Sequence, residues 1–134
     1  MNLMDFYVSM NPPTVTAQMH RVKMVNGKPL FYDSPELSDA RQKLTAYLSR
    51  YAPIQPYKQG IRLAVIWAFL PVGNHKDGDY RTTRPDTDNL QKLLKDVMTK
   101  LRFWQDDALV ASETIEKIWC DKPGLYIAIE PLEE

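Results

Sequence analysis

The chain has 134 residues, 44% of them hydrophobic and 25% charged, which is typical of a single globular domain with its own core. We therefore predict one domain over residues 1–134. The formal net charge is zero, so charge alone argues neither for nor against a nucleic-acid partner. No apolar run nears the roughly 18 residues of a membrane span. The single cysteine, Cys120, excludes an intrachain disulfide, and we expect a cytoplasmic protein with no membrane partner.

The first part of the chain predicts a strand and a hairpin. Residues 3–10 alternate in polarity, with Phe6 and Val8 on one side of a strand. Asn26-Gly27 is a strong two-residue turn signal, so residues 22–32 are predicted to form a β-hairpin.

The middle of the chain predicts a helix and a central strand. Ser34-Pro35-Glu36 is a helix start, with a capping serine, a proline in the first turn and an acid beside it. Residues 60–70 are apolar on both sides, which predicts a central strand covered on both faces. The apolar residues of the helix recur at helical spacing up to Ala52-Pro53 and are Leu37, Ala40, Leu44, Tyr47, Leu48 and Tyr51.

The last part predicts a second helix and two further strands. Residues 109–120 and 125–130 alternate like strands, and we predict that they pair as a hairpin around Pro123-Gly124. The fold class is therefore α+β, a mostly antiparallel or mixed sheet packed with two main helices. The second helix, over residues 88–101, has the clearest apolar stripe, formed by Leu90, Leu93, Leu94, Val97, Met98 and Leu101.

The start of this second helix carries the residues of greatest chemical interest. Asp88 and Lys92 are four residues apart and share one side of the helix, nearly opposite the apolar stripe. Both should therefore face a groove or solvent. Asp86 lies just before the helix, where an extended conformation can point its carboxylate to the same place. Paired acids suit a hard divalent cation, and helix N-terminal amides favour negative charge, including a DNA phosphate.

A second acidic pair, Asp106-Asp107, follows the other end of the helix. At about 1.5 Å of rise per residue the helix is roughly 20 Å long, so a tight turn alone does not bring Asp107 back to Asp88. Each feature also has an ordinary explanation: an acid caps a helix, an Asp-Asp pair in a loop is solvated, and Lys92 pairs with Asp88. From the residues alone, closure of the site stays open.

Taken together, these residues form a specific pattern. Residues 84–110, from Arg-Pro-Asp-Thr-Asp-Asn-Leu-Gln-Lys to Phe-Trp-Gln-Asp-Asp-Ala-Leu-Val, closely resemble the RusA family of Holliday-junction resolvases. The family motif is an Asp-x-Asp-Asn-φ-x-Lys block, an Asp at the centre of the helix and a Phe/Trp-x-Asp-Asp segment. In this chain the motif falls on Asp86, Asp88, Asn89, Lys92, Asp96, Trp104, Asp106 and Asp107.

The resemblance implies a RusA-like, dimeric fold and a Mg²⁺-dependent endonuclease, encoded by a bacterium or a phage, that cuts four-way DNA junctions. Carried over by position, Asp86, Asp88 and Asp107 would be metal ligands and Lys92 the catalytic lysine, with Mn²⁺ able to replace Mg²⁺. Asp106 would be the weaker neighbour, and Asp96 a structural or DNA-facing acid. The implied partners are branched DNA and a second copy of the chain, without a nucleotide cofactor.

Three positions depart from the family pattern. Arg102 stands where the family often has a glycine before the aromatic segment. Pro85 stands where many members have a basic residue before the first Asp. The loop Pro12-Pro13-Thr14-Val15-Thr16 lacks the usual asparagine. These differences bear on the grip on DNA more than on the metal site.

The expected chemistry is hydrolysis of a phosphodiester with one or two Mg²⁺ ions. The metal would lower the pKa of a bound water, and Lys92 would stabilise the scissile phosphate or its leaving oxygen. A twofold dimer would make paired symmetric nicks, with its interface expected on the first strand or the strand of Trp67. The resemblance implies that these nicks leave 5′-phosphate and 3′-hydroxyl ends. The basic residues expected to contact DNA phosphates are Arg21, Lys23, Lys76, Arg81, Arg84 and Lys95.

Two other functions stay open. A metal-dependent phosphohydrolase acting on a smaller phosphate ester would need a closed pocket rather than an open acidic groove. A catalytically inactive junction-binding module would bind without cutting, and the presence of Asp86, Asp88, Asp107 and Lys92 argues against it.

Overall fold

The computed structural model describes residues 2–14 and 20–132, apart from the side chains of His20 and Arg21. The altered part of the proline loop, Val15 and Thr16, lies outside these residues. The elements of the described chain, in order, are β1 (Met4–Ser9), β2 (His20–Val25), β3 (Lys28–Asp33), α1 (Pro35–Leu48), β4 (Ile61–Phe69), α2 (Thr87–Lys100), β5 (Val110–Trp119) and β6 (Gly124–Pro131).

The main sheet is mixed and has the strand order β1-β6-β4-β5. β4 pairs in parallel with β5 and antiparallel with β6, and β6 pairs antiparallel with β1. This architecture confirms the predicted α+β class. The predicted hairpin of the last two strands is wrong, because β4 lies between β5 and β6. The short connection at residues 120–123 instead crosses the end of β4, a step of about 10 Å between strands two apart.

β4 is the central strand, as predicted, but only one of its faces is fully covered. Ile61, Leu63 and Val65 on that face are buried in the core together with Trp67. On the opposite face Arg62 is exposed and only Ala68 is buried. The expectation that both faces are covered is therefore wrong for the outer face of the sheet. Both main helices supply core residues to the covered face. Within the described chain, no layer of helices therefore covers the outer face of the sheet.

α1 begins and ends where the sequence predicts. Ser34 is its N-cap, and its Oγ accepts a hydrogen bond from the Leu37 amide at 3.1 Å. Tyr47 was expected in the apolar stripe, yet it is 39% exposed and lies outside the core. A 3₁₀ turn over Ser49–Tyr51 ends the helical segment before Ala52-Pro53. The buried residues of α1 are Leu37, Ala40, Leu44 and Leu48.

α2 connects the two parallel strands, and this position creates the site. Parallel neighbours need a crossover connection, and α2 provides it between β4 and β5. The predicted stripe is confirmed: Leu90, Leu93, Leu94, Val97 and Met98 are at most 2% exposed. Each such side chain stabilises the fold by about 1.5–3 kcal/mol relative to an exposed one. The opposite side of α2, with Asp88 and Lys92, is exposed, as predicted.

β2 and β3 form the predicted hairpin as a separate two-stranded sheet. Asn26 and Gly27 at its turn have φ angles of 52° and 76°, the left-handed conformation that a two-residue type I′ turn requires. Many apolar side chains of this hairpin are exposed, which the sequence did not indicate. They include Val22, Met24, Val25, Leu30 and Phe31.

Within the described residues, no helix is long and apolar enough to cross a membrane.

Candidate active site

The N-terminus of α2 leaves its two acids available to a ligand. Asp86 is the N-cap residue and has the predicted extended backbone, with φ −79° and ψ 147°. Its side chain makes no capping hydrogen bond to the helix. Among the described residues, Asp88 in the first turn accepts only a local hydrogen bond, from the Asn89 amide at 2.9 Å. Both carboxylates are exposed, so the ordinary capping role explains neither of them fully.

A groove between α2 and β5 brings together three of the four predicted catalytic residues, Asp88, Lys92 and Asp107, and the predicted DNA contact Lys95. The groove has a volume of about 310 Å³ and is open to solvent. Asp107 reaches it from the 3₁₀ turn Asp107–Leu109, which opens β5. Asp86 lies at the helix mouth and is not among the lining residues. The groove is lined by Asp88, Gln91, Lys92, Lys95, Asp96, Asp107, Glu113 and Ile115.

A second cavity of about 380 Å³ adjoins this groove and shares Asp96 and Asp107 with it. Its other lining residues come from β3, α1 and the C-terminal part of α2. Asp107 therefore lies where the two cavities meet, beside the C-terminal half of α2, while Asp88 lies at the N-terminal end of the helix. Asp88 and Asp107 nevertheless line the same groove, so the chain does bring Asp107 back to the side of α2 that carries Asp88.

Several acids near the groove already have structural partners. Asp96 lies 3.7 Å from Nη1 of Arg41 on α1, which supports the structural reading of this acid. Asp106 caps the 3₁₀ turn, because its Oδ1 accepts a hydrogen bond from the Ala108 amide at 2.8 Å. These carboxylates stabilise the fold around the groove and are less available to a ligand.

Glu113 on β5 joins the two sides of the groove. It accepts hydrogen bonds from Gln91 at 3.3 Å and from Lys95 Nζ at 3.1 Å, both on α2. The buried Trp67 indole donates to Oε1 of Gln91 at 3.3 Å. Since an indole N–H only donates, this contact fixes which end of the Gln91 amide faces Glu113. The sequence interpretation missed Gln91 and Glu113, although the alternation of β5 indicates that Glu113 and Ile115 share a face.

The predicted catalytic residues differ from these acids in having no such partners. In the part of the chain that the structure describes, the side chains of Asp86, Asp107 and Lys92 make no hydrogen bond or ion pair within 4 Å. Lys92 is not paired with Asp88, despite their spacing of one helical turn. The ordinary explanation of Lys92 as a helix-surface ion pair is therefore not supported.

The donor set of the groove suits a hard divalent cation. Mg²⁺ commonly takes one or two carboxylates and completes its shell with water and substrate phosphate oxygens. Asp88 and Asp107, which have no charged partner among the described residues, offer carboxylates of this kind to the groove. Among residues 2–14 and 20–132, however, no three His, Cys, Asp or Glu side chains stand close enough together to hold a metal ion. The three predicted ligands are thus not gathered into a ready-made cluster.

The basic residues predicted to contact DNA have different environments. The Arg81 guanidinium lies over the rings of Phe69 and Trp119, at 4.3 and 4.6 Å from their centroids. Burial lowers its pKa. Lys95 is paired with Glu113, as described above. Lys23, Lys76 and Arg84 are exposed, and Lys23 Nζ lies 5.5 Å from the centroid of the Tyr32 ring. The Arg21 side chain lies outside the described residues.

Lys117 on β5 is a further cation near the site that the sequence interpretation did not identify. It is half-buried, and burial lowers its pKa. The charge of Arg81 lowers this pKa further, while the negative charge of Asp86 acts in the opposite direction. Lys117 therefore lies close enough to Arg81 and Asp86 for their charges to change its pKa.

Comparison with known proteins agrees with the motif. The family model described as endodeoxyribonuclease RusA matches residues 11–130. A crossover junction endodeoxyribonuclease rusA of Lactococcus phage r1t is 29% identical over 127 residues, covering 93% of this chain and 95% of the relative. The family match extends over both helices and over β4, β5 and nearly all of β6, three of the four strands of the main sheet, well beyond the motif at residues 84–110. The chain therefore belongs to the RusA family of Holliday-junction-resolving endonucleases.

Proposed function

We propose that this protein resolves four-way DNA junctions by paired symmetric nicks, that it requires Mg²⁺, and that it acts as a homodimer. The observation that carries the proposal is the division of the acids around the α2–β5 groove. Asp96, Asp106 and Glu113 have structural partners, whereas Asp86, Asp88 and Asp107 keep their carboxylates available. These available acids are the three that the family resemblance implies as metal ligands, whereas Asp96 and Asp106 match the motif without that implied role.

In this proposal Asp88 and Asp107 bind the metal within the groove, and Asp86 binds it from the helix mouth. Bound Mg²⁺ would supply a water of lowered pKa and neutralise charge on the phosphate. Lys92 lies in the same groove without an acidic partner in the described chain. Its ammonium group can therefore donate hydrogen bonds to a phosphate oxygen of the DNA and stabilise negative charge on that group.

The start of α2 gives the same region a second means of holding a phosphate, although the Asn89 amide already donates to Asp88 Oδ1. Positive partial charge at a helix N-terminus favours an anion. Because the Asp86 side chain does not cap the amides at this terminus, it does not compete with such an anion. Products with a 5′-phosphate and a 3′-hydroxyl are part of the proposal.

The homodimer follows from the proposed chemistry, because two symmetric cuts need two symmetry-related sites. The exposed apolar side chains of the β2–β3 hairpin support an interface with a second copy. The strand of Trp67 is less suitable than the sequence suggested, because Trp67 itself is fully buried in the core. A cytoplasmic location in a bacterium or a phage-infected cell completes the proposal, and the phage relative supports it.

One assay separates this function from its alternatives. The protein is incubated with Mg²⁺ and a synthetic four-way junction, a linear duplex or a chromogenic phosphodiester, beside Asp88→Asn. We expect symmetric nicks in the junction alone, reduced by about 100-fold or more in the variant. Binding of the junction without cleavage in Mg²⁺ or Mn²⁺ would indicate the inactive binding module. Hydrolysis of the small ester alone would indicate the phosphohydrolase, which the open groove does not favour.

A further inference from the structure

The loop that leads into α2 accepts hydrogen bonds from two cationic side chains, Lys117 and Arg81. Lys117 Nζ donates hydrogen bonds to the carbonyl oxygens of Thr83 at 2.7 Å and Pro85 at 2.6 Å. Arg81 donates from Nη2 to the carbonyl oxygen of Arg84, which lies between them. Arg81 Nε also donates to Oγ1 of Thr83 at 3.1 Å. Three consecutive backbone carbonyls, at positions 83–85, thus accept hydrogen bonds from two side chains.

This arrangement bears directly on the position of Asp86. Pro85, whose carbonyl Lys117 holds, is the residue immediately before Asp86. The nearest backbone hydrogen bonds on either side are Arg81 N to Lys117 O at 2.9 Å and Leu90 N to Asp86 O at 3.1 Å. Between them, the carbonyls of the loop depend on side-chain donors. The conformation of the backbone that carries Asp86 therefore depends on Lys117 and Arg81.

Both cations are themselves fixed by the surrounding structure. Lys117 lies on β5 opposite Trp67 of the central strand, and both side chains are at least partly buried. Arg81 stacks over Phe69 and Trp119, as described above. A cation that is partly buried and hydrogen-bonded has little freedom to move, so it can hold the loop in one place.

We propose that Lys117, assisted by Arg81, is a positioning residue that holds the Thr83–Pro85 backbone and so directs the Asp86 carboxylate towards the metal. The Asp86 side chain is exposed and makes no cap, so the two cations fix its backbone without occupying its oxygens. This inference rests on the proposed function, because it takes Asp86 as a metal ligand.

The test compares Lys117→Met with wild type and with Lys122→Met. Lys122 is an exposed lysine in the turn after β5, and its replacement removes the same charge outside the site. Mn²⁺ affinity is measured by calorimetry without DNA. The values of kcat and KM are measured on a four-way junction, and folding is checked by circular dichroism. We expect Lys117→Met to bind Mn²⁺ about 10- to 100-fold more weakly and to lose a similar factor in kcat. KM should change by less than about threefold, because the junction contacts are retained.

Three outcomes would overturn the inference. A folded Lys117→Met with wild-type Mn²⁺ affinity and kcat would show that Lys117 does not position Asp86. A rise in KM with unchanged kcat and Mn²⁺ affinity would make Lys117 a DNA contact instead. An effect of equal size in Lys122→Met would show that the loss in Lys117→Met comes from the removal of a positive charge and not from the position of Lys117.

A second variant keeps the test decisive if Lys117→Met does not fold. Arg81→Lys retains a cation over Phe69 and Trp119 but loses the guanidinium fork that reaches Arg84 and Thr83. It should weaken Mn²⁺ binding by about 3- to 10-fold, and unchanged Mn²⁺ binding would overturn the inference. A wild-type protein that neither binds Mn²⁺ nor cuts would overturn the proposed function as well, whereas an active wild type with an equally active variant overturns the inference alone.

Discussion

Neighbouring acids around the groove differ in what their carboxylates contact, and the difference assigns them separate roles. Asp106 and Asp107 are adjacent, yet Asp106 caps the 3₁₀ turn while Asp107 points into the groove. The turn that Asp106 stabilises is the one that directs Asp107. One acid of the pair thus maintains the local backbone, and the other remains available for the reaction.

Replacing each acid of this pair by its amide should separate the two roles. Asp107→Asn should lower Mg²⁺-dependent junction cleavage by about 100-fold or more, because a neutral amide is a poor metal ligand. Asp106→Asn should cleave at close to the wild-type rate, because asparagine caps a turn about as well as aspartate. Initial rates on a four-way junction give the comparison. Equal losses in both variants would contradict this assignment.

Arg102 follows α2 with a φ angle of 66°, a left-handed conformation that disfavours any residue with a Cβ. Glycine is the usual residue at this place after a helix, and the family often has one here. Arg102→Gly should therefore raise the free energy of unfolding by about 1 kcal/mol. Lys100→Gly, inside the last turn of α2, should lower it by about 1 kcal/mol. Chemical denaturation measures both, and a destabilised Arg102→Gly would show that the conformation carries no strain.

At the scale of elements, a series of polar contacts, buried at Trp67 and Gln91 and exposed at Glu113, fixes α2 against the sheet beside the groove. It runs from Trp67 on β4 through Gln91 on α2 to Glu113 on β5. Gln91 is 1% exposed, although it lies between residues of the catalytic motif. These hydrogen bonds therefore set the distance between α2 and the edge strand β5, and with it the width of the groove.

Gln91→Leu should destabilise the protein by about 1–3 kcal/mol, because it leaves the buried Trp67 indole N–H without an acceptor. Urea unfolding measures the change, with Gln42→Leu on the exposed side of α1 as the matched control. The control should change stability by less than about 0.5 kcal/mol. If Gln91→Leu were as stable as the control, the hydrogen bond would not contribute to the fold.

Local signals in the sequence sufficed for most individual elements. The Ser34 cap, the Asn26-Gly27 turn and the apolar stripe of α2 each act through neighbouring residues, and all three are confirmed. Strand pairing depends on contacts between distant segments. The sequence therefore did not reveal that β4 separates β5 from β6, nor that the outer face of β4 is only partly covered.

The candidate site shows the same limit. The motif identified which residues to consider, and helix periodicity placed Asp88 and Lys92 away from the core. The contacts of Lys117 with the loop before Asp86 join positions more than 30 residues apart, so no local pattern predicts them. The metal roles of Asp86, Asp88 and Asp107 remain predictions that the experiments above test.

At the scale of the whole molecule, charge and apolar surface are unevenly distributed. The net charge is zero, but residues 1–60 carry seven Lys or Arg against four Asp or Glu. The β2–β3 hairpin belongs to this basic part. It forms a separate two-stranded sheet, and many of its apolar side chains are exposed. Exposed apolar groups in such number are unusual on an isolated monomer and favour contact with another protein surface.

If two copies associate through this hairpin, the protein should run in solution at twice the 15.5 kDa mass of one chain. Phe31, 69% exposed on β3, is the best position to disturb the contact. Phe31→Glu should shift the mass measured by light scattering towards one chain, because a buried interface disfavours an unpaired charge.

The matched control for this experiment is Ile54→Glu, which places the same charge at a residue that is 98% exposed and far along the chain from the hairpin. It should leave the mass unchanged. Junction cleavage adds a functional readout, because a monomer has one site and should nick one strand without the paired cut. A Phe31→Glu protein that keeps the double mass and the symmetric nicks would exclude the hairpin from the interface, and a wild-type protein of single-chain mass would exclude the dimer itself.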